Sequence, residues 1–198
     1  GMKLLDGEME EFITSSQHGI TEITSIVSDL RTIVTSEIQS EEDVDLAQVG
    51  RHAASYFLQA YPSTSLHSEI QDVPFILGNS HRLLQAILNL LMNSVQAIST
   101  QGDAIQLRIF PRGSDLIVEV EDNGPSITNN LGMLFEPFYK ARENGDTIGL
   151  GLAVVQTVVQ QHGGTVACTS TETGRVVFRL TFPCAPVAIQ AKSERSHP

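Results

Sequence analysis

Positive charge is scarce in this chain of 198 residues. Its 12 Lys and Arg residues are outnumbered by 23 Asp and Glu residues, which gives a formal net charge of −11 at pH 7. Proteins that bind nucleic acid regardless of its sequence rely on clustered Lys and Arg side chains to release counterions from the phosphates. The composition therefore argues against a nucleic acid partner.

Long apolar runs, targeting segments and cysteine clusters are also missing. No stretch reaches eighteen consecutive apolar residues, and the start GMKLLDGEMEEF has neither the basic nor the apolar region of a signal peptide. We therefore expect no membrane contact by this segment. The two cysteines, Cys168 and Cys184, lack metal-ligand spacing and cannot form a disulfide framework, which favours a cytoplasmic location.

The N-terminal part has the pattern of one long helix, from about residue 8 to 38. An isolated helix cannot bury a coiled-coil seam, so we expect pairing with another helix or with another copy of the chain as a homodimer. The expected organisation is a dimerisation-type helix (1–40), a globular domain (41–183) and a flexible tail (184–198). The seam positions repeat in steps of three and four: Ile13, Ser16, Ile20, Ile23, Val27, Leu30 and Val34.

The rest of the chain alternates between helical and strand patterns. This order favours an α+β fold, in which helices form a layer on one mixed, mainly antiparallel sheet. Helices are predicted near 46–60, 80–99 and 150–161, strands near 66–71, 73–77, 104–110, 115–121, 164–170 and 175–182, and an irregular segment over 123–147. The first of these helices should turn one face inward, formed by Leu46, Val49, Ala53, Tyr56, Phe57 and Ala60.

The predicted helix over 80–99 is apolar except for a stripe of amides at Gln85, Asn89, Asn93 and Gln96. Spacings of three or four place these side chains on one side of the helix. A buried amide without hydrogen-bond partners costs about 1–3 kcal/mol. The stripe must therefore face backbone, water or a polar ligand, and the pattern does not decide among these.

Two stretches containing glycine follow. The strand over 115–121 runs into Asp122, Asn123 and Gly124, which is typical of a turn. Gly149 and Gly151 precede and open the last helix, where free backbone N–H groups and the positive helix end attract phosphate. Glycines before a helix also serve packing alone, so neither stretch identifies a ligand by itself.

Taken in order, these stretches resemble the ATP-binding domain of sensor histidine kinases, in the Bergerat-fold (GHKL) superfamily that also holds gyrase B and mismatch-repair ATPases. The matching segments are NLLMNSVQAI (N box), DNGPSI (first glycine box), LFEPFY (F box), GLGLAVV (second glycine box) and the closing HGGTVACTSTETGRVVFRLTFP. The resemblance covers about residues 44–183. It implies a protein-histidine kinase that uses ATP and Mg²⁺ and signals to the receiver domain of a response regulator.

The resemblance also implies roles for individual residues. Asp122 would accept a hydrogen bond from the adenine amino group. Asn93 would bind Mg²⁺, with Asn89 as a second contact, and Arg142, on an ATP lid over 139–147, would meet the γ-phosphate. Further nucleotide contacts are implied for Gly124, Phe138, Gly149, Leu150, Gly151 and Leu152.

Asn89 also discriminates between branches of the superfamily. The hydrolysing branches resemble one another in carrying a glutamate there, which activates water. An amide cannot act as that general base. Phosphoryl transfer to a partner is therefore favoured, and an ATPase of the gyrase or mismatch-repair type is the poorer alternative.

Two positions depart from the family pattern. Ser126 stands where the first glycine box has its second glycine, and Thr147 stands where the second glycine box opens. Either residue would restrict the backbone if a positive φ were needed there. These departures support a second hypothesis, a degenerate module that keeps the fold but acts as a binding or phosphotransfer scaffold.

The phosphoacceptor histidine of the family lies on the first helix of a dimerising hairpin. The predicted N-terminal helix resembles the second helix of that hairpin, so we expect the phosphoacceptor helix to be absent from this chain. His18 is the rival candidate, because Phe12 precedes it by six residues as in the family's H box. Against it, Gly19 and Ile23 stand where the family has an acid and commonly a proline.

Overall fold

The structure is a computed structural model that describes residues 24, 26–34, 42–98, 104–127, 131–140, 148–170 and 174–184. Residues 26–34 are helical and form α1, which is part of the predicted N-terminal helix. Apart from residue 24, the rest of that predicted helix lies outside the described residues. The other α-helices and the strands are β1 (Glu42–Val44), α2 (Leu46–Ala60), β2 (Ser65–Ile70), β3 (Ile76–Gly78), α3 (Ser80–Ala97), β4 (Ala104–Arg112), β5 (Asp115–Asp122), α4 (Gly151–Gln161), β6 (Thr165–Ser170) and β7 (Val176–Pro183), with a short 3-10 helix at Leu131–Met133.

Five strands form the main sheet, in the order β2-β4-β5-β7-β6. β2 pairs with β4 in parallel, and the other three pairs are antiparallel, which confirms the predicted mixed, mainly antiparallel sheet. β1 and β3 form a separate two-stranded sheet that the sequence did not predict. β1 is three residues long and adjoins an acidic run, so its own pattern carries little strand signal. Its pairing with β3 buries Val44 beside Ile76.

The two faces of the main sheet have different chemistry. On β5, alternate residues Leu116, Val118 and Val120 face the helices and are fully buried, as the two-residue period of a strand requires. The same alternation brings Asp122 to the helix side. The opposite face carries Glu119 in ion pairs with Arg108 and Arg179. The end of β5 thus places a carboxylate on the side of the sheet where the core lies.

Helix α2 packs on this core through part of the predicted face. Asp45 caps its first turn by accepting a hydrogen bond from the backbone N–H of Gln48. Of the six residues predicted to face inward, Leu46, Val49, Ala53 and Phe57 are buried. The prediction was wrong for Tyr56, which is 53% exposed, and for Ala60. Tyr56 lies about 100° from Phe57, at the edge of the buried face, and Ala60 is the last residue of the helix.

Helices α3 and α4 pack antiparallel. His162, just after α4, accepts a hydrogen bond from the backbone N–H of Asn79, the residue that caps α3, through its Nε2 at 2.9 Å. The His162 ring fills the space beside Gly78, where a Cβ would overlap the ring. At the other end of the pair, the Asn89 side chain donates to the carbonyl of Gly151. The start of α4 therefore lies beside the middle of α3. None of the helices among the described residues is long and apolar enough to cross a membrane.

Candidate functional site

Asp122 is the buried carboxylate of the site, with 2% of the residue exposed. The Ser94 hydroxyl on α3 donates to its Oδ2 at 3.0 Å, and the backbone N–H of Gly124 donates to its Oδ1 at 3.0 Å. A buried charge is tolerated when donors replace the water that it has lost. These two contacts hold both oxygens of the carboxylate in one orientation between β5 and α3.

Gly124 and Asn123 fix the loop that follows Asp122. A Cβ on Gly124 would lie 2.8 Å from the Cβ of Ala97 and 2.9 Å from its carbonyl oxygen, so a side chain there would push the loop away from the end of α3. Asn123 accepts a hydrogen bond from the backbone N–H of Ala104 at 3.2 Å. Asp122 thus accepts from the N–H two residues on, as a residue that starts a turn does, and its side chain also points into the interior, whereas Asn123 binds the start of β4.

The four amides predicted to form a stripe on α3 have different surroundings. Gln85 donates to Asp29 on α1 at 2.9 Å, and Asn89 donates to the Gly151 carbonyl at 3.3 Å. The buried Nδ2 of Asn93 has no hydrogen-bond partner within the described part of the chain. Gln96 is exposed. Gln85 and Asn89 thus donate hydrogen bonds to other parts of the protein, whereas the amide nitrogen of Asn93 makes no hydrogen bond to the described residues.

Asn93 fits a hard cation that takes oxygen ligands. The oxygen and nitrogen of a side-chain amide are assigned from their surroundings, and rotation by 180° exchanges them. An amide with a buried, unpartnered atom can therefore turn its oxygen to a ligand without breaking a contact among the described residues. Mg²⁺ commonly uses one or two protein oxygens together with substrate phosphates and water.

The N-terminus of α4 presents backbone groups of the kind that attract an anion. Leu150, the residue before the helix, is 3% exposed and makes no side-chain capping bond. The first backbone N–H groups of a helix lack partners within it and carry partial positive charge. Gly151 begins the helix, and Leu152 is partly buried against the core. These backbone N–H groups lie where the helix starts, beside Asn89.

A tight backbone crossing joins the F box to the second glycine box. The N–H of Phe138 donates to the Gly149 carbonyl at 3.0 Å. Gly149 has φ +80°, and a Cβ there would lie 2.7 Å from the carbonyl oxygen of Tyr139, so glycine is required at this position. Phe138 itself has φ 67°, and 63% of it is exposed.

Ser126 departs from the family pattern, and a positive φ at this position would have strained its backbone. The structure shows no such strain. Among the described non-glycine residues, Phe138 alone has a positive φ. The Ser126 hydroxyl instead donates to the carbonyl of Gly174 at 3.2 Å and ties the loop after β5 to the backbone just before β7. Arg142, Thr147 and His18, with most of the predicted lid, lie outside the described residues.

Two residues near Asp122, Ser94 and Cys168, were not among the residues predicted from the sequence to form the site. Ser94 is fully buried and follows the apolar Ile87 by seven residues, two turns along the same face of α3. A hydroxyl on an otherwise apolar helix face was therefore the available signal. Cys168 lies on β6, in register with Phe178 on β7. Burial raises the pKa of the Cys168 thiol to about 11, with a further contribution from the negative charge of Asp122.

Comparison with known proteins identifies relatives for this arrangement. The family profile described as "Histidine kinase-, DNA gyrase B-, and HSP90-like ATPase" matches residues 78–186. The chain is 31% identical to the sensory histidine kinase/phosphatase NtrB of Rhodobacter capsulatus, over 94% of this chain and 55% of the relative. It is also 31% identical to the sensor histidine kinase ZraS of Escherichia coli K12, over 81% of this chain and 35% of ZraS.

The fold of this chain also matches a solved structure. Full-length ShkA in complex with AMPPNP matches with a TM-score of 0.75 at 23% identity, over 90% of this chain and 39% of ShkA. At that level of identity the match concerns the fold. The chain spans about half the length of NtrB and about a third of ZraS.

The charge of Asp122 can be detected through Cys168. Because that charge helps to raise the thiol pKa, replacing Asp122 by Asn should lower the pKa of Cys168 from about 11. Only the thiolate reacts, and each unit of pKa lowering increases its fraction about tenfold well below the pKa. In a Cys184→Ser background, iodoacetamide should therefore modify Cys168 several-fold faster in Asp122→Asn at pH 7–9. Asp115→Asn, at the other end of β5, is the control. Identical pH profiles in all three proteins would contradict an ionised Asp122 near the thiol.

Proposed function

The chain belongs to the family of histidine kinase-, DNA gyrase B- and HSP90-like ATPases, and we propose that it transfers the γ-phosphate of ATP to a histidine, as the catalytic domain of a two-component sensor histidine kinase. The observation that carries this proposal is the buried Asp122 carboxylate, held by Ser94 and Gly124 beside the uncommitted Asn93 amide. The relatives matched over most of this chain are sensor histidine kinases by name. The histidine and the response regulator receiver domain are partners proposed from that likeness.

Asp122 is proposed to recognise adenine. Its carboxylate can only accept hydrogen bonds, and the exocyclic amino group of adenine can only donate. Ser94 and the Gly124 backbone fix the plane of the carboxylate before any ligand arrives. A fixed acceptor binds a donor without a further entropic cost of ordering. Gly124 contributes by letting the loop lie against Ala97.

The opposite end of the proposed site would take the phosphates. The start of α4 offers backbone N–H groups from Gly151 and Leu152, and the crossing at Gly149 and Phe138 fixes how the chain enters at Leu150. Bound Mg²⁺ would neutralise charge on the phosphates, with Asn93 as a ligand and Asn89 as a second contact. Arg142 is proposed to meet the γ-phosphate on the family resemblance alone.

Transfer is favoured over hydrolysis by the chemistry at Asn89. Its amide donates to the Gly151 carbonyl and has no basic group that could take a proton from water. Phosphoryl transfer depends chiefly on positioning and charge neutralisation, which the residues above can supply. The alternative hypothesis, a degenerate binding or phosphotransfer scaffold, loses one of the observations that supported it. Ser126 has no positive φ and makes a hydrogen bond to Gly174.

A homodimer formed through α1 is proposed as the working assembly. Three of the predicted seam residues are described, and all are exposed: Val27 by 59%, Leu30 by 38% and Val34 by 78%. They fall on one side of the helix at spacings of three and four, as a coiled-coil seam does. Burying them would remove apolar surface from water. A cytoplasmic location is proposed as well, since ATP and reduced cysteines are both found there.

Nucleotide affinity tests the adenine assignment. In calorimetric titrations with Mg-ATP, Asp122→Asn should bind about tenfold or more weakly than the unaltered chain, because the amide places a donor where an acceptor is needed. Gly151→Ala should also weaken binding while folding normally, since its Cβ would lie 3.9 Å from Asn89. Asp115→Asn should bind as the unaltered chain does. Equal affinity of Asp122→Asn and the unaltered chain would rule out the adenine assignment.

The reaction itself is tested with radiolabelled ATP and an added copy of the full native helical hairpin. We expect acid-labile, base-stable label on the hairpin, as a phosphohistidine gives, and at least a tenfold slower reaction in Asn93→Ala. Gln96→Ala, an exposed amide on the same helix, is the matched control. Steady release of inorganic phosphate that is lost in Asn89→Ala would instead support an ATPase.

Self-association is tested by sedimentation. The unaltered chain should show a dimer mass at high concentration, and Leu30→Glu should shift it to the monomer because a charge in an apolar seam is costly to bury. Ser28→Glu introduces the same side chain at an exposed position of α1 outside the seam. A monomer mass for the unaltered chain at every concentration would contradict the homodimer.

A further inference from the structure

Helix α1 has a second face, which packs on the ATP-binding domain. Thr32 is 7% exposed, Ile33 packs against the core, and Asp29 is partly buried. At about 100° per residue, Thr32 lies about 140° to 160° around the helix from the seam residues Val27 and Leu30, whereas Ile33 lies at the edge of the seam, about 60° from Leu30. The seam and the domain contact are therefore centred on different sides of α1 and adjoin at Ile33.

The contact between α1 and α3 is polar and centred on Gln85. The Gln85 Nε2 donates to Asp29 Oδ1 at 2.9 Å. The single hydroxyl proton of Thr32 is donated to the Ser28 carbonyl at 3.0 Å, and Gln85 Oε1 lies 3.5 Å from the same hydroxyl oxygen. The carboxylate of Asp29 can only accept, which fixes the Gln85 amide with its nitrogen towards α1.

Asp29 gives the contact its specificity. Burial raises the pKa of Asp29, while the hydrogen bond from Gln85 lowers it. The net shift is upward, so burial costs the charged form more than Gln85 returns. The charged form of this half-buried carboxylate is therefore stabilised by the hydrogen bond from Gln85. Loss of that hydrogen bond would favour separation of α1 from α3.

Gln85 stands on the same side of α3 as the proposed nucleotide ligands. Asn89 follows it by four residues and Asn93 by eight, which places Asn93 about 12 Å farther along the helix. Asn89 contacts the start of α4 at Gly151. A shift of α1 along or away from Gln85 would therefore change where the proposed phosphate end of the site lies relative to α1.

We propose that Gln85, Asp29 and Thr32 form an interhelical clasp that holds the ATP-binding domain in one position on α1. Gln85 then acts as a positioning residue for phosphoryl transfer, without touching ATP. This role rests on the function proposed above, whereas the clasp itself does not. Both can be tested on the full chain by exchanging the two polar groups.

The variants are Gln85→Glu, Asp29→Asn and the double exchange Asp29→Asn with Gln85→Glu. Gln85→Glu opposes two carboxylates and should open the clasp. The double exchange restores one donor and one acceptor between α1 and α3 with their places reversed. Gln59→Glu makes the same chemical change on the exposed side of α2 and serves as the control.

Backbone hydrogen exchange over residues 26–34 reports the clasp directly. We expect exchange there about tenfold faster in Gln85→Glu, since the substitution removes the donor to Asp29 and places a second carboxylate beside it. The double exchange should return it to within about twofold of the unaltered chain, and Gln59→Glu should not change it. Unchanged exchange in Gln85→Glu, or no recovery in the double exchange, would overturn the clasp.

The positioning role is read from transfer to the added hairpin. In Gln85→Glu, the rate at saturating ATP should fall about tenfold with an unchanged KM for ATP, and the double exchange should restore it. A faster-exchanging α1 with an unaltered transfer rate would overturn the positioning role and leave the clasp in place. Absence of transfer in the unaltered chain would overturn the proposed function, and the exchange measurement would still decide the clasp.

Discussion

The antiparallel packing of α3 and α4 is the constraint on which the site depends. Because the helices run in opposite directions, the first turn of α4 lies beside the middle of α3, where Asn89 and Asn93 are found. His162 fixes the far end of this pair through the backbone N–H of Asn79. Sliding one helix by a turn would separate Gly151 from Asn89 by about 5 Å. The relation between a polar stripe and a helix N-terminus is thus set by core packing.

The two buried acids of β5 show how the sheet separates a structural charge from the charge that we propose to bind adenine. Glu119, on the outer face, is 3% exposed and is neutralised by ion pairs with Arg108 and Arg179. Asp122, on the helix face, receives hydrogen bonds from the neutral donors Ser94 and Gly124. Neutral donors orient a carboxylate without cancelling its charge. The raised pKa of Cys168 is consistent with a negative field that persists on this side of the sheet.

Much of the fold follows from sequence periodicity, and the contacts between elements follow less well. The alternation along β5 predicts the strand, and carrying it one step further puts Asp122 on the inner face. The bond from Ser94 could not be predicted, because it requires the register between α3 and β5, which depends on packing of the whole core. β1 was missed for a similar reason, since three residues form a strand only through their partner β3. The requirement for glycine at 149 comes from the crossing with Tyr139, which no local pattern reveals.

The amides of α3 show the limit of periodic reasoning most clearly. A spacing of four places Gln85, Asn89 and Asn93 side by side, but it does not say what each one faces. The structure gives them an acid of α1, a backbone carbonyl of α4, and a buried nitrogen with no partner among the described residues. Helix α3 therefore links the contact with α1 to the proposed ligand site through the regular rise of a helix. A helix that is fixed at both contacts transmits position between them, which makes α3 the element through which docking and catalysis can be coupled.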